Sequence, residues 1–237
     1  MDTLKHATQL KDVLKNYKMS DQSIQILNQT EFVMLSAVSS SGRNTIIREL
    51  LKSDDFYYIV SDTTRPMRVN DGVKEQNSVE YWFRSEEEVL EDLKQGKFVE
   101  AALIHDQQVS GVSIRELSTA QQKGKIAISD IDVQGVHTIM QHSSLAVPVF
   151  VLPPNYEEWM RRWKKRGTIS DQEFTNRKQS ARQELSVALS EDYYHFIIND
   201  DLEEVVKGVC QIAKGIVSKQ HDQEGRAVAE NILQRLS

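Results

Sequence analysis

Five short apolar runs punctuate the chain: FVMLSAV (32–38), FYYIVS (56–61), KIAISDID (125–132), AVPVFVL (146–152) and HFIIND (195–200). Each has the length of a buried strand and is bounded by polar or turn residues, and helical patterns lie between most of them. That alternation predicts an α/β fold with a mainly parallel sheet. At 237 residues the chain is long for one compact domain and short for two, so one core with inserted lobes is expected. Segment 63–112 breaks the alternation with denser charge and the shorter pieces VEYWF and KFVEAALI, which predicts an inserted lobe with some antiparallel strand. Residues 155–190 read as charged helix interrupted at Arg166, Gly167 and Thr168, a segment expected to be mobile.

Both ends read as helical extensions. Residues 1–30 carry Leu4, Leu10, Val13, Leu14 and Tyr17 at helical spacing, then Ser20 as a cap before Ile24, Ile26 and Leu27. Residues 218–237 carry Val228, Ile232, Leu233 and Leu236 at the same spacing. Composition narrows the function classes. Lys and Arg total 29 against 35 Asp and Glu, a formal charge of -6, which argues against general nucleic-acid binding through phosphates. The single cysteine, Cys210, excludes an intrachain disulfide and a cysteine-based zinc site. No apolar run approaches the ~18 residues of a membrane span, and charges are scattered through the start. A soluble, cytoplasmic protein without a membrane partner is the expectation.

The first apolar run leads into SSSGRNT (39–45) and then the helical IIRELL, the order in which a phosphate-binding loop meets a helix N-terminus. The full loop pattern wants Gly at 37, Lys at 43 and Ser or Thr at 44, where this chain has Ala37, Arg43 and Asn44. What survives is the small-residue run Ser39, Ser40, Ser41, Gly42, whose amides can form an anion nest if Ser40 accepts the backbone geometry. Arg43 keeps the charge but replaces a compact ammonium with a planar fork. A simple strand-to-helix turn capped by Ser and Asn accounts for the same residues.

Downstream, SDTTRPMR (61–68), EYWF (80–83), GKFVEAA (96–102), SDIDVQG (129–135), VLPPNYEEWMRRWKKRGT (151–168) and FIINDDLEE (196–204) follow in order. This series resembles the guanylate kinase family over about residues 31–215. The resemblance implies a P-loop nucleoside monophosphate kinase fold: a domain spanning 31–217 with a parallel-sheet core, a GMP-binding lobe at 63–112 and a lid region at 155–190. It implies transfer of the γ-phosphate of ATP to GMP or dGMP, with Mg2+ accompanying ATP. Ser61, Arg65, Arg68 and Tyr81 would hold the GMP phosphate, and Glu100 and Asp132 would read guanine. Ser39, Ser40, Ser41, Gly42, Arg43, Asn44, Thr45 and Asn199 would bind ATP. Arg43 and the lid arginines Arg162, Arg166 and Arg177 would be catalytic, and Asn44 and Asp130 would hold the metal.

The chemistry of these residue types agrees. Two guanidinium forks on one turn, Arg65 and Arg68, suit a dianionic monoester. Guanine presents N1–H and N2–H2 donors, so carboxylates at 100 and 132 select it, and adenine would leave them unpaired. Other readings stand beside these: solvated arginines on a charged helix, Glu100 as the outward residue of an alternating strand, Asp130 and Asp132 opening a turn. His105 and His137 fit no ligand pattern, Cys210 reads as packing, and Trp159 and Trp163 read as core or lid packing. The chain departs from the family in three places, of which the first should be tolerated by the lobe. The turn after Arg68 is about four residues longer, the segment HDQQVSGVS (105–113) puts Val109 or Ser110 where a tyrosine is expected, and the phosphate loop is altered. A weak or inactive domain that binds GMP or a phosphorylated peptide is therefore the alternative, and the chain is expected to be a monomer or a homodimer.

Overall fold

In the structure, a computed structural model, residues 4–70, 72–165 and 170–236 are described. The chain opens with α1 (Ala7–Lys15) and α2 (Asp21–Leu27), followed by β1 (Phe32–Ala37), α3 (Arg43–Leu50) and β2 (Phe56–Tyr58). Shorter elements come next: β3 (Asp62–Thr63), β4 (Val69–Asn70), β5 (Val73–Lys74), β6 (Trp82–Phe83), α4 (Glu86–Lys94), β7 (Phe98–Ile104), β8 (Gln108–Ser113) and α5 (Ile114–Gln122). Then follow β9 (Ile126–Asp130), α6 (Val133–Met140), β10 (Ala146–Leu152), α7 (Tyr156–Lys165), α8 (Asp171–Ser190), β11 (His195–Ile198), α9 (Leu202–Ala213) and α10 (Lys219–Gln234). Each predicted apolar run contains one strand of a five-stranded sheet ordered β11-β10-β1-β9-β2. β10 and β11 pair in parallel, Val149 opposite His195 through Leu152 opposite Ile198. The bonds from Ala127 N–H to the Glu31 carbonyl and from Ile131 N–H to the Leu35 carbonyl advance together along β9 and β1, as in a parallel pair. The fold is thus α/β with a parallel-sheet core.

The chain divides into two compact units. One comprises Phe32–Phe56, Ile128–Val136 and Val147–Ser237. In it β1 and β10 are almost wholly buried, as continuous apolar runs require. Trp159 and Trp163 are buried too, so they pack as the sequence suggested. Helix α10 packs on β11 and α8. Asp222 Oδ1 accepts the Phe196 N–H at 2.8 Å, a backbone donor on the edge strand that the ladder leaves over. Arg226 lays its guanidinium 4.8 Å from the centre of the Phe196 ring and donates to the Glu191 carbonyl at 3.0 Å. The C-terminal extension is therefore a structural part of this unit.

The other unit comprises Met1–Glu31, Tyr57–Ala127 and His137–Ala146. Its sheet runs β6-β3-β8-β7, antiparallel between β3 and β8 and between β7 and β8. The apolar stripe foreseen in the N-terminal extension packs here: Leu4 and Leu10 join Val89, Leu90, Leu93, Phe98 and Val109 in one buried cluster. Ser85 and Glu88 form a capping box on α4, and the Glu86 carboxylate accepts the His6 N–H at 2.8 Å. Among the described residues no helix is long and apolar enough to cross a membrane.

Gly225 of α10 tests this packing. A Cβ there would lie 2.6 Å from the Phe196 Cβ and 2.9 Å from its carbonyl oxygen. Helix propensity alone favours alanine by about 1 kcal/mol. Overpacking outweighs it, so Gly225→Ala should destabilise by about 1–3 kcal/mol in urea unfolding.

Candidate active site

The loop between β1 and α3 gathers most of the residues expected at a donor nucleotide. Ser40 takes φ +71° and Gly42 φ +94°, so two residues of the turn are left-handed. Only the second is a glycine; a serine in that region carries roughly 1–2 kcal/mol of backbone strain. Gly42 has a further reason to lack a side chain, since a Cβ would stand 2.2 Å from Asn199 Nδ2. That nitrogen donates to the Ser41 carbonyl at 2.7 Å, and the Trp159 indole N–H donates to the Ser39 carbonyl at 2.7 Å. The loop is thereby fixed from β11 and α7, with its amides at the start of α3, where the helix dipole favours an anion. Among the described residues the hydroxyls of Ser40 and Ser41 are buried without hydrogen-bond partners.

Three of the four arginines expected to be catalytic meet this loop. Arg43 donates to Asp130 Oδ2 at 2.8 Å. Arg162 donates to the Asn199 carbonyl at 2.9 Å and to Glu158 Oε1 at 2.7 Å, while its Nη1 lies 3.5 Å from the Ser41 carbonyl. Arg177 reaches Ser39 Oγ at 3.4 Å and is held by Glu173. The fourth, Arg166, and the rest of the expected break at Gly167 and Thr168, lie outside the described residues. Asn44 is exposed, and the Thr45 hydroxyl accepts from Arg48 at 3.3 Å.

A cavity of about 440 Å³ is lined by residues 37–45, Asp130, Asp132 and Glu184. Glu184, on α8, escaped the sequence reading because it looks like any other polar residue on a charged helix. Burial pushes its pKa up to about 7; Arg43 opposes that rise and Asp132 adds to it. Asp132 Oδ1 accepts the N–H groups of Gln134 and Gly135 at 3.0 and 2.8 Å, capping α6, so the turn-opening reading of this residue describes its local geometry. A larger recess of about 980 Å³ along α8 includes none of the expected site residues.

The residues expected at the acceptor, Asp132 apart, fall in the unit containing α4 and α5. Arg65 is nearly buried and bidentate with Glu75, at 2.6 and 2.7 Å. Its guanidinium lies 4.9 Å from the Tyr81 ring centre and 5.4 Å from that of Phe83. Glu75 Oε2 also accepts the Arg68 N–H at 2.7 Å, and Arg65 first, then Arg68, hold the Glu75 pKa down to about 2. The Arg68 side chain is exposed. Ser61 accepts the Trp82 N–H through its carbonyl, joining β6 to the turn. Glu100 Oε1 accepts the Val112 N–H at 3.1 Å, at a bulge between Phe98 and Glu100. Glu75 was missed because the small hairpin β4–β5 carries it back to Arg65 across the lengthened turn. The spacing between the two residues gave no sign of that return.

A family model described as guanylate kinase matches residues 29–215. The chain is 36% identical over 174 residues to guanylate kinase 1 of Oryza sativa subsp. japonica, covering 72% of this chain and 44% of that protein, so it spans less than half the plant relative's length. It is 33% identical to the guanylate kinase of Sulfurimonas denitrificans, covering 76% and 85% of the two chains. For the Rickettsia prowazekii guanylate kinase the values are 32%, 78% and 91%. The solved guanylate kinase of Anaplasma phagocytophilum superposes with a TM-score of 0.56 at 26% identity, covering 81% of this chain and 89% of that one.

The raised Glu184 pKa has a measurable consequence. The folded state binds this proton more tightly than the unfolded one, so stability is lost as pH rises from the unfolded value near 4.5 to about 7. Glu184→Gln stays neutral throughout. Urea unfolding should find it more stable than the parent by about 1–3 kcal/mol at pH 8, with the gap closing by pH 4.5.

Proposed function

Since the chain belongs to the guanylate kinase family, we infer that it transfers the γ-phosphoryl group of ATP to GMP or dGMP. The observation that carries this reading is the convergence of Arg43, Arg162 and Arg177 on a loop whose buried Ser40 and Ser41 hydroxyls lack partners among the described residues. A polyphosphate supplies the missing acceptors and matches the positive charge. A role in recognition alone would give those arginines and hydroxyls no task.

In this reading the amides of Ser39 to Gly42, with Thr45 and Asn199, bind the donor. Phosphate oxygens compete with Asp130 for Arg43, which then faces the transferring group. Arg162, Arg166 and Arg177 stabilise the charge that develops on the equatorial oxygens. On the acceptor side, Ser61, Arg65, Arg68 and Tyr81 hold the monoester phosphate, and Glu100 with Asp132 accepts from the N1–H and N2–H2 donors of guanine. A GMP phosphate oxygen attacks the γ-phosphorus in line. The bond to the β-γ bridging oxygen breaks, ADP leaves, and no covalent enzyme intermediate forms. Because the carboxylates address the base edge, GMP and dGMP are both acceptors.

Asn44 and Asp130 offer oxygen donors only, a set that fits magnesium, which takes one or two such ligands beside substrate phosphates and water. Bound with ATP, the metal would neutralise charge on the β- and γ-phosphates. The lone cysteine supports a reducing, cytoplasmic setting.

A coupled assay of ADP release tests the reading: GMP-dependent turnover is expected, and its absence would overturn it. Arg43→Ala should lower kcat by about a hundredfold or more, with the KM for GMP changed little. Glu75→Gln, which loosens the shared anchor of Arg65 and Arg68, should raise the KM for GMP by about tenfold and leave the KM for ATP unchanged.

A further inference from the structure

The N-terminal extension lies ahead of the family match yet grips the strand that bears Glu100. Tyr17 follows α1, and its hydroxyl makes two bonds to one residue: it accepts the Phe98 N–H at 2.7 Å and donates to the Phe98 carbonyl at 2.5 Å. The Ser20 N–H and the Ser23 hydroxyl both donate to the Gly96 carbonyl, at 3.0 and 2.7 Å. β7 is the edge strand of its sheet, so this hydroxyl serves the outward backbone groups of Phe98 in place of a further strand. The clamp sits at the bulge: Phe98 faces Ser113 and Glu100 faces Val112, leaving Val99 as the extra residue. A bulge re-aims the side chain that follows it, and here that side chain is Glu100. Burial pushes the Tyr17 pKa up to about 12, so the hydroxyl remains a donor throughout the neutral range.

We propose that Tyr17 is a positioning residue for Glu100, making the N-terminal extension a working part of acceptor-base recognition. The proposal rests on the reading that Glu100 takes the guanine edge. The bulge fixes the direction of the carboxylate and Tyr17 fixes the bulge, so removal of the hydroxyl lets Glu100 drift from the exocyclic amine while the phosphate contacts stay in place.

The test compares GMP with IMP, which keeps N1–H and the phosphate but lacks the 2-amine. Dissociation constants for both are measured by titration calorimetry on the full chain and on Tyr17→Phe, which keeps the ring in its apolar cluster. The parent should prefer GMP, and Tyr17→Phe should cut that preference by about 5–20-fold, mainly through weaker GMP binding, with ATP affinity unchanged. In a Glu100→Gln background, Tyr17→Phe should bring no further loss of preference. An equal loss of affinity for both nucleotides, or an intact GMP preference in Tyr17→Phe, would overturn the proposal while leaving the base-reading role of Glu100 standing. A parent indifferent to the 2-amine, or a Glu100→Gln variant with the parent's preference, would remove that role and the proposal with it. Should Tyr17→Phe fail to fold, Ser23→Ala loosens the same strand entry at Gly96 and must shift the preference in the same direction, a null result there counting against the proposal.

Discussion

Contact between the Asn199 amide and the backbone of Gly42 governs the shape of the loop between β1 and α3. The amide nitrogen occupies the space a side chain at 42 would need and takes the Ser41 carbonyl as its acceptor. With that carbonyl held on one side and the Ser39 carbonyl held by Trp159 on the other, the intervening Ser40 takes left-handed geometry despite its side chain, and Gly42 does so just beyond. Arg162 is tied to the same assembly through the Asn199 carbonyl. One close approach thus aligns the loop amides, the start of α3 and Arg162, and in the proposed reaction pre-organisation of this kind lets fixed charges act on a developing one without reorganisation.

The two extensions solve one problem in two places. Edge strands expose backbone groups that must be answered by something. At β11 the answer is a carboxylate from α10, Asp222 on the Phe196 N–H. At β7 it is a phenol from the segment after α1, Tyr17 on both polar groups of Phe98. Each partner is anchored by apolar or aromatic contacts of its own: Arg226 on the Phe196 ring, and the Leu4 and Leu10 cluster beneath Tyr17. The added helices finish sheets that the family-matched segment leaves open at these edges.

Much of this was legible in the chain itself. The apolar runs marked the strands because a parallel sheet buries both faces, and Ser20 marked a helix start because a serine oxygen takes the first amides. The ordered motifs picked out Arg162 and Arg177, which the structure brings beside the loop. What stayed hidden depended on return paths and environment. Glu75 becomes a partner of Arg65 only once the β4–β5 hairpin folds back, and Glu184 acquires its unusual proton affinity only when α8 lines the cavity. Tyr17 read as one more apolar position on a helix; the helix stops at Lys15, and its hydroxyl, invisible to periodicity, does the distinctive bonding.

In the proposed reaction, the ion pair of Arg43 and Asp130 gives nucleotide capture an unusual energetic character. With a carboxylate already 2.8 Å from the guanidinium, the resting loop carries its own counter-anion. An arriving polyphosphate displaces an internal partner instead of meeting a bare cation, so net affinity is the difference between two charge-assisted contacts. Such an exchange dampens the dependence on ionic strength and favours ligands bearing enough negative charge to outcompete a single carboxylate.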